Sequence, residues 1–342
     1  MRTKAIRALG CAVLVAMIAA LALPASTASA PENVNLALDW VLNGTHAGFF
    51  TALEKGYYRD VGLNVAIARG YGSGDTIKRV GAGVATVGVA DTGAIIAARA
   101  NEDIPVRIVA MIYQKATLGI IYLKQSGITK PKDLEGRTIG RSASGASVNM
   151  FPGFLKANGI DRSKIREVVV DGATFLPLLL SRKVDAVLEQ SVQLGHFRKA
   201  AAAQGLTPVA MRYADYGLQA YGNAIIVKPE TLAANPEMVR RFVEASLKGI
   251  AYSFGHVDEA VASLRKASPE IDAEGAKEEL QDMRDVTVTD ESRKHGLGTI
   301  TPERMTATRD VVTNALSLKR RVLITELYTL DFLPKTPVEP TY

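Results

Sequence analysis

Cysteine is almost absent. The 342-residue chain holds one, Cys11, and it precedes an apolar run instead of following it. With no cysteine after residue 11, the remainder has no disulfide, no thiol nucleophile and no thiolate metal ligand, and no cysteine stands where a lipid would be attached. Histidine is scarce too: His46, His196, His256 and His295 lack metal-ligand spacing, so neither a metal nor a cofactor is expected. Enzyme motifs are mostly missing. There is no G-x-x-x-x-G-K-[ST] loop, "GYGSGD" (70–75) lacks the last glycine of a dinucleotide fingerprint, and "RSASGAS" (141–147) fails the spacing of a G-x-S-x-G elbow. Beyond the N-terminus no run is apolar enough to span a membrane. The formal charge of +6 falls to +3 without Arg2, Lys4 and Arg7, and no basic stripe carries interleaved aromatics, so nucleic acid is not an expected partner.

What is present begins with export. Those three cations, the run "AVLVAMIAALAL" (12–23) and the small residues "ASTASA" (25–30) have the layout of a secretory signal peptide over residues 1–30. Cleavage is expected after Ala28 rather than Ala30, because Pro31 adjoins the second bond. The mature chain is expected outside the cytoplasm, in the periplasm. Without disulfides it must be held by apolar cores, for which its length suffices in more than one lobe.

From residue 31 strand-like and helix-like runs alternate. "VNLALDW" (34–40) places Val34, Leu36, Leu38 and Trp40 on one face, after which Thr45 can cap a helix running to about Lys55, stopped by Gly56. Further strands are expected at 62–68, 84–90, 106–113 and 118–124, with helices between them. A second set follows from about Ser126, with strands at "RTIGRS", "IREVVVD" and "VDAVLEQ" and helices at "SVNMFPGFLKANG" and "TFLPLLLSRK". Such alternation means crossover connections and mostly parallel sheets. "RVGAGVATVGVAD" (79–91) and "LLSRKVDAVLEQS" (179–191) echo each other 100 residues apart, which favours two lobes of similar design. After the strand in "YGNAIIVKPE" (221–230) the chain is helical near 236–254, 257–267, 273–285 and 302–318. The tail "LPKTPVEPTY" reads as an extended strap or as disordered. The expected fold is α/β with two lobes, 31–124 joined by 222–342 and 125–221, linked by two crossovers.

In such sheets ligands lie beyond the carboxyl ends of the strands. Four loops belong there: Asp39 to His46, "YGSGD" with Ser73, "ADTG" with Asp91 and Thr92, and "RSASGAS" with Ser144 and Gly145. Their glycines, serines and acids suit helix caps, and equally leave backbone amides free for a ligand. Trp40, the only tryptophan, can be core. Beside Asp39, Asn43 and His46 it also makes a flat aromatic surface ringed by polar groups, which suits a planar ligand. His46 touches either a ligand or a loop carbonyl.

"LALDWVLNGTHAGFFTALEKGYYRDVGLNV" resembles the opening of the NMT1-like periplasmic binding proteins, in the pattern L-D-W-x-x-N-x-x-H carried by Leu38, Asp39, Trp40, Asn43 and His46. "GSGD", "VGVAD", "KPKDLEGRTIG" and "VDAVLEQ" extend the resemblance over about residues 33–330. The pattern is closest to the branch that binds thiamine-pyrimidine precursors. The resemblance implies a type II periplasmic binding protein, monomeric and not an enzyme, that hands a small planar nutrient to the permease of an ABC importer. It carries ring stacking to Trp40 and a carboxylate for the ring's amino edge to Glu189, which the sequence alone equally allows to pair with Arg141 or another cation. Two alternatives accompany it: a periplasmic homologue of the synthase of the pyrimidine precursor, whose cysteine-rich iron motif has no counterpart here, and a binder of sulfonates or other small organic anions.

Overall fold

The computed structural model describes residues 30–341. The expected leader and its cleavage after Ala28 lie outside the described residues. All elements below belong to the unit that starts at Glu32.

Ten strands form two five-stranded sheets. The first contains β1 (Glu32–Ala37), β2 (Leu63–Ala68), β3 (Val87–Asp91), β4 (Arg107–Met111) and β10 (Asn223–Val227), in the order β2-β1-β3-β10-β4. The second contains β5 (Leu118–Leu123), β6 (Thr138–Arg141), β7 (Arg166–Val169), β8 (Ala186–Gln190) and β9 (Pro208–Arg212), in the order β7-β6-β8-β5-β9. With β10 and β5 set aside, the remaining strands of each sheet follow the same order, second-first-third-fourth, and the strand set aside lies between the third and the fourth in both. The echoing segments 79–91 and 179–191 supply the central strands β3 and β8, so the sequence echo corresponds to a repeated architecture.

In each sheet one strand runs against its neighbours: β10 is antiparallel to β3 and β4, and β5 to β8 and β9. Each is the first strand after the chain changes sheets. The links 112–117 and 213–222 are short, so the chain leaves at a strand's carboxyl end and re-enters at the edge nearest to it, which reverses its direction. "LGIIYLK" (118–124), expected to close the first set, therefore opens the second sheet, and the first crossing falls before residue 118 rather than near 124. The first link also bonds to the end of the second and to the start of β10: the Gly222 N–H donates to Tyr113 O at 3.0 Å and the Tyr113 N–H to Asn223 O at 2.9 Å. The sequence reading omitted β9.

The central strands β3 and β8 are buried at every residue, as strands covered on both faces are. One apolar core runs under both sheets through the helices 92–101, 146–157 and 302–315. The opposite face of the first sheet is covered by helices 47–54, 236–255 and 257–267, and that of the second by helices 175–180 and 194–202. The tail is an extended strap: Val338 O accepts the Leu297 N–H at 2.9 Å and Thr341 bonds to Ala251 O.

Candidate functional site

Strand β1 ends at Ala37, three residues before Trp40, which corrects the expectation that Trp40 closes it. The chain bends after Leu38, and Asp39 turns inward, buried. Its Oδ1 lies 3.0 Å from His46 Nε2, while Oδ2 accepts from Asn223 Nδ2 at 2.8 Å and from Gln190 Nε2 at 3.4 Å. His46 Nδ1 accepts the Asn43 backbone N–H at 3.4 Å, so Nε2 carries the proton that Asp39 receives. The Asn43 side chain accepts from the Thr45 backbone N–H at 2.9 Å and from its hydroxyl at 2.7 Å. Asn43, not Thr45, is thus the cap: its extended backbone (φ −155°, ψ 177°) turns the side-chain oxygen over the first turn, and Thr45 sits inside that turn. Asp39, Asn43, Thr45 and His46 form a closed knot.

Trp40 leaves this knot for the apolar cluster of the second sheet, with its ring centroid 5.9 Å from that of Phe175 at 44°. Gly172 lies against the indole. A Cβ there would fall 2.3 Å from Trp40 Cζ2, so only glycine lets the 172–174 turn approach this closely.

Glu189, on the buried strand β8, uses Oε1 to accept the Gln190 N–H at 2.8 Å. Burial pushes its carboxyl up to about 8; the Gln190 amide opposes this, the Asp39 charge adds to it, and the Trp40 indole N–H again opposes. Arg141, one possible partner, instead forms an ion pair with Glu167, Nε to Oε2 at 2.5 Å.

The sequence reading missed Glu279. It lies on the helix Ala273–Thr287, and its Oε2 accepts the Gly44 N–H at 2.7 Å. Gly44 is a glycine because a Cβ there would come within 2.0 Å of Ala276 O. Burial pushes the Glu279 carboxyl up to about 8, with the Gly44 amide opposing and Glu189 reinforcing. Its Oε1 is buried without a hydrogen-bond partner, although the His196 amide lies near enough to ease the shift.

Trp40 and Glu189 stand between two spaces. On one side is a void of about 10 Å³, room for roughly one water, bordered by Asp39, Ser73, Gly145 and Ser147. On the other is a groove of about 790 Å³ with Glu189 and Glu279 in its lining, apolar wall from Leu176, Phe197 and Ile271, and Asn43, Arg69 and Lys199 on its border. Arg69 and Lys199 are already paired, with Asp171 at 3.6 Å and Asp272 at 2.5 Å.

The remaining expected site residues are spent locally. Ser73 Oγ accepts the Asp91 N–H at 3.0 Å, and the Gly145 N–H bonds to Ser142 Oγ at 2.9 Å. Asp91 caps its helix through the Ala94 N–H at 3.1 Å, and burial pushes its carboxyl up to about 7. Thr92 Oγ1 donates to Gly222 O at 2.6 Å, and Ser144 Oγ to Tyr71 O at 3.0 Å. His46, Asp91, Thr92 and Ser144 border neither the void nor the groove.

The model of the family described as NMT1/THI5 like matches residues 43–260, more than half of the chain. The chain belongs to the NMT1/THI5-like family. Among its relatives, the riboflavin-binding protein RibY of Chloroflexus aurantiacus is 26% identical, over 89% of this chain and 86% of that protein. The formylaminopyrimidine-binding protein of Halalkalibacterium halodurans is 26% identical over 70% and 72%. The 4-amino-5-hydroxymethyl-2-methylpyrimidine phosphate synthase of Legionella pneumophila is 24% identical over 71% and 76%. The alkanesulfonate-binding protein SsuA of Xanthomonas axonopodis pv. citri, bound to MOPS, has the same fold, with a TM-score of 0.66 at 13% identity over 88% of this chain and 99% of that one. The fold is therefore that of the type II periplasmic binding proteins.

Proposed function

We propose that this NMT1/THI5-like chain is an extracytoplasmic solute-binding protein that captures a small planar heterocycle in the groove between its sheets and delivers it to the permease of an ABC importer. The groove carries the proposal. It joins an indole, a buried carboxyl group and an apolar wall, and its volume falls in the range of roughly 300–1,000 Å³ that pockets for small molecules occupy. The names of the riboflavin and formylaminopyrimidine binders support the ligand class. In this reading Trp40 and Glu189 contact the ligand, Asn43 borders it, and Asp39 and His46 hold the loop that presents Trp40. Ser73, Asp91, Thr92, Ser144 and Gly145 shape the facing loops. The links 112–117 and 213–222 act as the hinge between the lobes. The protein works as an exported monomer and turns nothing over, since the synthase reading lacks its iron-binding cysteines after Cys11.

Calorimetric titration of the purified protein with riboflavin and with 4-amino-5-hydroxymethyl-2-methylpyrimidine tests this. Saturable one-to-one binding is expected, with the ligand recovered unchanged in mass. Conversion of the ligand would establish the enzyme instead, and tight binding of an alkyl sulfonate with neither heterocycle bound would move the protein to the anion binders.

A further inference from the structure

We propose that Glu279 is a second recognition carboxylate beside Glu189, and that the pair selects an elongated ligand with a planar cationic head, amidinium-like, and an apolar body. This rests on the solute-binding reading above and adds the charge and the length of the ligand.

Glu279 is 2% exposed, yet its Oε1 is left without a partner on the lining of the groove. A buried carboxylate without a cation or a full set of donors is costly, so an orphaned oxygen beside an open space marks a place for an incoming donor. Glu189 lines the same groove, and the groups acting on the two carboxyls are other acids, backbone amides and the Trp40 indole; no cation is among them. The positive charge is thus missing from the protein side. Burial holds both acids protonated while no cation is near; a planar cation with several N–H donors takes the place of those protons and gives one hydrogen bond to each carboxylate, an exchange that no anionic ligand can make. The arginine and lysine in the lining of the groove, Arg69 and Lys199, are engaged by Asp171 and Asp272 and do not ask for an anion.

The length follows from the walls. A single six-membered ring fills only part of about 790 Å³, and the lining of the groove includes the apolar side chains of Leu176, Phe197 and Ile271. Apolar surface there favours a second ring or an equivalent body.

The test uses the purified protein and a charge series of isosteric probes, benzamidine, benzamide and benzoate, with 4-phenylbenzamidine as the extended probe. Benzamidine should bind at least about tenfold tighter than benzamide, benzoate should not bind, and 4-phenylbenzamidine should exceed benzamidine by about tenfold. Glu279→Gln keeps an oxygen for the Gly44 N–H and should preserve the fold. It should weaken benzamidine about ten- to a hundredfold, the loss of one charge-assisted bond, while benzamide changes less than about twofold. Glu279→Asp, which keeps the charge, should retain the preference for benzamidine over benzamide. Equal binding of benzamidine and benzamide, or unchanged benzamidine affinity in Glu279→Gln, overturns the inference. If riboflavin or the aminopyrimidine binds while the charge series is flat, this inference alone fails; if nothing from either set binds, the solute-binding reading fails with it.

Discussion

Two acidic corners stand on either side of Trp40 and Glu189, Asp39 at the small void and Glu279 at the groove, and they differ in how far they are hydrogen-bonded. Asp39 has all its hydrogen bonds: His46, Asn223 and Gln190 donate to its two oxygens, and Asn43 and Thr45 close the loop around it. Glu279 is as deeply buried but receives one backbone amide on Oε2 and nothing on Oε1. A saturated carboxylate is scaffold, because its capacity is used up in holding elements together. An unsaturated one is strained by its own desolvation and gains when a donor arrives. The residues most conspicuous in the sequence, Asp39, Asn43 and His46, belong to the first kind. The inconspicuous acid is the available one.

The largest effect that would break this contrast is expected from Asp39→Ala. It strands three buried donors at once, and stability should fall by about 3–5 kcal/mol, read from urea unfolding. If Asp39 were instead a ligand-facing acid, its removal would cost affinity and leave stability nearly unchanged. Next is Gly44→Ala, which acts where the two corners touch. Its Cβ would meet the backbone oxygen of Ala276 at 2.0 Å, so the turn or the helix 273–287 must shift. A loss of about 1–3 kcal/mol is expected, together with weaker ligand binding, since the Gly44 N–H that orients Glu279 moves with it.

A smaller effect separates the corners by pH. Glu189 and Glu279 keep their protons up to about pH 8 in the folded protein, and Asp91 up to about 7, whereas in the unfolded chain these groups release them near pH 4. The folded state binds more protons across that window, so the stability these groups contribute is complete below about pH 4 and is lost as pH rises through 7 to 8. Glu279→Gln should flatten this slope and raise stability at pH 8.5 by about 1–2 kcal/mol, with little change at pH 4. A thermal melting series over pH 4 to 9 measures it; an unchanged slope in the variant would show that Glu279 ionises freely.

The smallest expected effects are spectroscopic and null. Trp40 is the only tryptophan and borders both the void and the groove, so a bound heterocycle should quench or shift its emission. Riboflavin bound without such a change would remove Trp40 from the site. Chelators should leave the melting temperature where it is. Among the described residues no group of three or more His, Cys, Asp or Glu is placed to hold a metal ion.

Much of the fold was legible, because it rests on patterns that are local. Short apolar, strand-like runs marked nine of the ten strands, and the amphipathic helices from residue 236 to 315 fell where their apolar spacing put them. Strand β9, "PVAMR", carries too little alternation to stand out, and it forms because β5 offers it an open edge. The switch of β5 to the second sheet was illegible for a related reason: a strand's sequence states that it pairs, and the length of the link before it decides with which sheet.

The site divides along the same line. Sequence alone determined the elements, the doubled architecture and the segment from Asp39 to His46 as special, since capping chemistry and apolar periodicity act over a few residues. It even held a trace of Glu279, an acid inside the apolar stripe of Ala276, Leu280 and Met283, but a single charge in a stripe does not say what faces it. Only the tertiary structure decided that Asp39 is saturated and Glu279 is not. That difference depends on donors from residues up to 235 positions away, such as Gly44 on Glu279. Whether a buried carboxylate is satisfied is a property of its neighbours in space, which no local pattern in the chain encodes.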